Sequence, residues 1–131
     1  MKRYLADTHA LLWFLSAPQK LGRKAERAFA TLGQSSEICV STVTLWEVAM
    51  LHDEGRLRLN AGFSAWHEAL ARLPGIRIEP LFGEDVEEAR SLPSLADPFD
   101  RLIAGTALRL GVPLISRDRR IAKERRLRLV W

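Results

Sequence analysis

The sequence predicts an α/β fold of three layers: a central, mostly parallel sheet of four or five strands with helices on both faces. Two observations predict it. Short apolar runs alternate along the chain with stretches of helical periodicity, which is the pattern of βαβ units. The runs at residues 4–6, 38–40 and 112–115 contain no charged residue, as strands covered on both faces require.

Tyr4-Leu5-Ala6 reads as the first strand and Thr8 to Leu15 as a helix. Gly22 to Leu32 is an amphipathic helix through Ala25, Ala28, Phe29 and Leu32. Glu37 to Val40 is a strand, and Thr42 to His52 a helix ending near Gly55. Phe63 to Leu73 is a helix closed by Pro74-Gly75, and Ile76 to Leu81 alternates as a strand. Glu84 to Arg90 is a short helix. Pro98 to Leu110 is a long one, stopped by Gly111. Val112 to Ser116 is a strand, Ile121 to Arg125 a short helix and Leu127 to Trp131 a last strand. Crossovers between such strands are right-handed. Sites in such open sheets form beyond the carboxyl ends of the strands.

The 131 residues fit one domain, residues 1–131. No stretch approaches the ~18 apolar residues of a membrane span, and no leader is convincing, because Asp7 and His9 interrupt the first apolar run. The single cysteine, Cys39, lies in an apolar strand and reads as a buried reduced thiol, which suits the cytoplasm. Residues 101–131 carry nine basic and two acidic side chains, a net charge of +7. Residues 1–100 carry eleven basic and fourteen acidic ones, a net charge of −3. A basic end on a mildly acidic body suits either a polyanionic partner or a merely soluble surface.

Four acids stand at element ends or on helices beside them. Asp7 follows the first strand, Glu47 lies in the helix after the second, Asp100 opens the long helix and Asp118 follows the apolar run ending at Ile115. Each has a local explanation. Asp7 suits an N-cap, Asp97-Pro98-Phe99-Asp100 suits an N-cap with Pro in the first turn, and Asp118 suits a turn. Glu47 is harder to explain locally, since Val43, Met50 and Leu51 share its face. A carboxylate there needs a cation, a proton or a buried Arg. If the acids converge, two of them 4 Å apart repel by roughly 4 kcal/mol at an effective dielectric near 20. His9, His52 and His67 are scattered without zinc spacing, so the donors are oxygens, which favour Mg²⁺ or Mn²⁺. Trp13 and Trp46 sit in apolar helical patterns and are expected in the core. Trp66 belongs with Phe63, Leu70 and Leu73 to a segment expected to be partly exposed.

The segments ADTHALLWFL, STVTLWEVAM and DPFDRLIAGTALRLGVPLIS and the ending RDRRI…LVW resemble PIN-domain proteins, and among them the VapC-type toxins of bacterial toxin–antitoxin pairs. The resemblance implies a PIN-like α/β/α fold and a metal-dependent endoribonuclease. It implies Asp7, Glu47, Asp100 and Asp118 as the acidic metal set, the last being the least constant position. Thr8, Ser116 and Asp97 would support those acids. Arg101, Arg117, Arg119, Arg120 and Lys123 would hold the RNA backbone. It further implies a homodimer and a cognate antitoxin. Two other classes remain at this point. A pure nucleic-acid-binding module has no need of a groove lined with carboxylates. A phosphatase with Asp7 as nucleophile usually carries a second Asp two residues on, where this chain has His9.

Overall fold

The structure is a computed structural model describing residues 1–131. Its elements in order are β1 (Lys2–Ala6), α1 (Thr8–Ser16), a 3-10 turn (Pro18–Lys20), α2 (Arg23–Ala30), β2 (Ser36–Ser41), α3 (Thr42–Asp53) and α4 (Gly62–Arg72). Then come β3 (Ile76–Glu79), α5 (Gly83–Arg90), α6 (Pro98–Leu110), β4 (Leu114–Ile115), a 3-10 turn (Ile121–Lys123) and β5 (Leu129–Val130). The five strands form one sheet in the order β3-β2-β1-β4-β5, and every pairing is parallel. Along β1 and β2 the register pairs Lys2 with Ser36 and Ala6 with Val40. On the other side Leu5 meets Leu114 and Ala6 meets Ile115. The chain builds outward from β1 to β3 and then returns to β1's other edge, so strand order switches between β1 and β4. That switch is where an open α/β sheet forms its crevice.

Side chains alternate along each strand, and this alternation separates two cores. Ala6, Ile38, Val40 and Ile115 pack with Leu11, Ala25, Ala28, Phe29 and Leu70 beneath α1, α2 and α4. Leu5, Cys39 and Leu114 pack with Val43, Ile103, Ala104 and Ala107 on the opposite face, beneath α3 and α6. The sheet is therefore covered on both sides, which is the three-layer arrangement expected. Cys39 is buried and free. No helix is long and apolar enough to cross a membrane.

The last strands and the last helix are shorter than their sequence suggests. Pro113 has no N–H to give, so the ladder opens only at Leu114, whose N–H donates to Arg128 O. The helix expected over 121–125 is a single 3-10 turn. Trp46 departs from the core position expected of it, with 60% of its surface exposed. Helix α3 buries Val43, Thr44, Leu45 and Val48, and Trp46 lies on the other side of that stripe. In the segment expected to be partly exposed, Leu70 is instead core at 2%, while Phe63, Trp66 and Leu73 are half-buried against it.

Helix α6 is anchored on α5 along its length. The Arg101 guanidinium donates to Ala89 O at 3.0 and 3.2 Å. Eight residues on, Arg109 is bound to Asp85 and to Glu79 Oε1, the latter at 2.8 Å. Between them, a Cβ on Gly105 would overlap the Asp85 carbonyl oxygen, so only glycine permits this approach. Gly111 ends α6 with φ +66°, a conformation that costs other residues energy.

Candidate active site

The cleft at the strand switch has a volume of about 400 Å³ and is lined by Asp7, His9, Trp13, Asp100, Arg117, Asp118, Arg119 and Arg120. Asp7 enters it because β1 ends at Ala6 and α1 begins at Thr8. Its Oδ1 accepts the Ala10 N–H at 2.8 Å, so it does cap α1. Burial nevertheless pushes its carboxyl above the usual range, more than hydrogen bonds from Ser116 and Ala10 pull it down.

Asp100 enters from the first turn of α6. Asp97 caps that helix, its Oδ1 accepting from Phe99 N at 2.8 Å and from Asp100 N at 3.1 Å. The N-cap reading of Asp97 therefore holds, with Pro98 in the first turn as expected. Asp100 is pushed up to about 6 by burial first, and then by the charges of Asp97, Asp7, Glu47 and Asp118. All four expected acids thus lie within one electrostatic neighbourhood.

Glu47 stands behind Asp7, half-buried at the edge of α3's buried stripe. Thr8 supports it rather than Asp7: the buried Thr8 hydroxyl donates to Glu47 Oε1 at 2.7 Å and lies 3.0 Å from Thr44 Oγ1. Ser41 caps α3, and Thr44 and Glu47, three residues apart on that helix, both face Thr8 of α1. Ser116 is buried at the end of β4. Its Oγ accepts from Asp118 N at 3.0 Å, so it ties the first and fourth acids together.

Asp118 differs from the other three. Its Oδ1 and Oδ2 accept from the Arg120 guanidinium at 3.0 and 2.9 Å, and that contact holds its carboxyl below the usual carboxylate range. Asp7, Glu47 and Asp100 form no ion pair with any Lys or Arg. As placed, the side chains do not close into a cage of three or more metal-ligating groups. The chemistry of Asp7, Glu47 and Asp100 still fits a hard cation: all three offer oxygen donors, the carboxyls of Asp7 and Asp100 are raised, and none of the three is paired with a basic side chain.

The basic residues divide. Arg117, Arg119 and Arg120 line the cleft. Arg101 does not, since its guanidinium is held on α5's terminal carbonyls. Lys123 is exposed on the 3-10 turn, outside the cleft lining. Two lining residues were not anticipated, His9 and Trp13. Their signal was present in the sequence as an i, i+4 pair on the helix that Asp7 opens.

A model of the PIN domain matches residues 4–127. The chain is 31% identical over 135 aligned positions to Ribonuclease VapC22 of Mycobacterium tuberculosis, covering all of both chains. Among solved structures it resembles VapBC2 of Rickettsia felis, bound to a promoter DNA fragment, with a TM-score of 0.72 at 13% identity, covering 97% of this chain and 96% of that one. VapBC-1 of nontypeable Haemophilus influenzae gives a TM-score of 0.72 at 16% identity, with the same coverage. At such identities the likeness concerns the fold. With the full-length relative and the family match added to the geometry of the acids, the chain belongs to the PIN-domain family.

Proposed function

We propose that this chain is an endoribonuclease that cuts RNA phosphodiester bonds with the help of Mg²⁺ or Mn²⁺, and that it is the toxin of a toxin–antitoxin pair. The observation that carries this reading is the contrast inside the cleft. Two of the carboxylates that line it, Asp7 and Asp100, stand without a basic partner although three arginines line the same wall. The full-length likeness to a protein named a ribonuclease supports it.

Asp7 and Asp100 are the principal ligands of the cation, with Glu47 and Asp118 completing the set or orienting water. A divalent cation bound there supplies a Lewis acid at the phosphate and eases deprotonation of the attacking water. Glu47, fixed at Oε1 by Thr8, keeps Oε2 to accept the proton of that water. Thr8 and Ser116 hold the acids in place, and Asp97 fixes the helix start that presents Asp100. Arg119, free of ion pairs, holds the RNA phosphates in the cleft, with Arg117 beside it in the lining. Arg120 joins them where substrate draws it from Asp118. Lys123 extends the basic strip, and Arg101 contributes through α6 rather than by touching RNA.

The partner reading rests on an apolar groove between α1 and α4, lined by Leu12, Leu15, Leu57, Leu59 and Trp66. It supports a cognate antitoxin as partner and a homodimer of the toxin, and the R. felis and H. influenzae structures it resembles in fold are VapBC complexes.

The test is purified, partner-free protein incubated with a mixed RNA pool, with and without Mg²⁺ or Mn²⁺, and then end-mapped. Discrete cuts that require the cation and vanish in Asp7→Asn are expected. An intact pool at every metal concentration contradicts the reading.

A further inference from the structure

The cleft has a side that the chemistry of the acids does not use. His9 and Trp13 stand one helical turn apart on α1, ring centroids 5.9 Å from each other. Trp13 packs edge-on against Trp131 at 5.6 Å, which fixes the plane of its indole from behind. The Arg117 guanidinium lies over the Trp13 ring, 5.8 Å from its centroid. All three line the same cleft as Asp7 and Asp100.

Arg117 is the informative member. Arg120 is bound to Asp118 by its side chain. The exposed Arg117 follows the buried Ser116, yet it makes no hydrogen bond or ion pair with any of the nearby acids. Its planar fork is thus held by an aromatic face with its N–H groups unengaged. An aromatic ring with an arginine plane is the pairing that grips unstacked bases in single-stranded RNA. An arginine fork also reads the O6 and N7 acceptors on the edge of guanine. A cleft of about 400 Å³ has room for a base beside the phosphate that the acids address.

We infer that His9, Trp13 and Arg117 form a subsite for one unpaired purine, guanine above adenine, next to the bond that is cut. This rests on the ribonuclease reading and deepens it. The incoming base displaces the Arg117 guanidinium from the indole, so that Trp13 supplies the stacking face, His9 closes its outer edge, and the freed Arg117 fork reads the base edge. Purines fit better than pyrimidines because they cover more of the indole.

The experiment combines two readouts on the metal-loaded protein. Random-sequence RNA is cut and end-mapped with wild type and with Arg117→Ala, whose exposed side chain can be removed without opening the core. Tryptophan fluorescence is titrated with GMP and with CMP in wild type and in Trp13→Phe, which keeps an aromatic ring against Trp131. The expected result is a guanine enrichment at one position beside the cut that falls about tenfold in Arg117→Ala. KM should rise more than kcat falls. GMP should quench fluorescence more than CMP, and the difference should disappear in Trp13→Phe. The same base distribution in wild type and Arg117→Ala, or GMP quenching that persists in Trp13→Phe, overturns the subsite. No cutting by wild type, with Trp13-dependent GMP quenching intact, overturns the ribonuclease reading and leaves the subsite standing.

Discussion

Two groups of acids, one buried and one half-buried, sit at opposite ends of α6 and are treated in opposite ways. At its C-terminal half, Asp85 and Glu79 are 0% and 5% exposed, and both are bound by Arg109. Thr106 adds its hydroxyl to Asp85 Oδ2 at 2.9 Å. At its N-terminal turn, Asp100 shares a cleft with Asp7 and the field of Glu47, and none of the three has an arginine. Buried carboxylates that serve the fold arrive with their cation in the chain. On the proposed reading, carboxylates without one take their cation from outside. The chain had arginines to place there, since Arg101 is the next residue, and it directs that side chain to the Ala89 carbonyl instead.

Breaking the neutralised end should have the largest effect on stability. Arg109→Ala leaves Asp85 buried without its counter-ion and Glu79 with only Arg77, 3.7 Å away, a change that costs about 3–5 kcal/mol. Urea denaturation should show a clear fall in midpoint with little change in slope, and a loss below ~1 kcal/mol would mean that the two acids find other partners. Gly105→Ala comes next. Its Cβ would meet the Asp85 carbonyl and the Ala89 backbone, and overpacking of this kind costs ~1–3 kcal/mol. The same titration checks it, and because α6 must shift away from α5, cleavage per folded molecule should fall with it.

The other end should respond with the opposite sign. The carboxyl of Asp100 is raised from 3.8 to about 6 in the folded chain, so its protonated form favours the fold. That contribution is fully present below pH ~4 and is lost as pH rises through 6. In metal-free buffer at pH 7, Asp100→Asn should therefore stabilise the protein. One pKa unit corresponds to about 1.4 kcal/mol, and partial solvent screening brings the expected gain to ~1–2 kcal/mol. The advantage over wild type should shrink as pH is lowered from 7 to 4. Melting temperatures of both proteins across that range decide it, and a variant less stable than wild type at pH 7 would mean that Asp100 serves the fold as an acid in the first turn of α6.

This contrast also sorts what was legible in the sequence. Asp7 and Asp100 were legible because each depends on a local boundary, a strand end and an Asp97-Pro98 helix start. The three-layer sheet was legible from apolar runs whose period needs no tertiary knowledge. Glu47 was found through its apolar neighbours, although it lies at the edge of that face and is held by Thr8, a partner 39 residues away. The Asp85–Arg109–Glu79 network was not legible, because its members are 24 and 30 residues apart and meet only when α5 packs on α6. Trp46 was misjudged because α3 is apolar on most sides, and packing rather than periodicity chose its buried stripe. Arg101 was read as a phosphate contact for the same reason: nothing local shows that α5 ends beside it.

On the proposed reading, the unneutralised acids hold a cation that the reaction needs. The most direct measurement is Mg²⁺ binding by calorimetry, paired with RNA cleavage on the same preparations of wild type and Asp100→Asn. The folded variant should lose Mg²⁺ binding, and cleavage should fall by orders of magnitude, as removal of a ligand to a catalytic ion causes. Unchanged Mg²⁺ affinity with full cleavage in Asp100→Asn would contradict that reading.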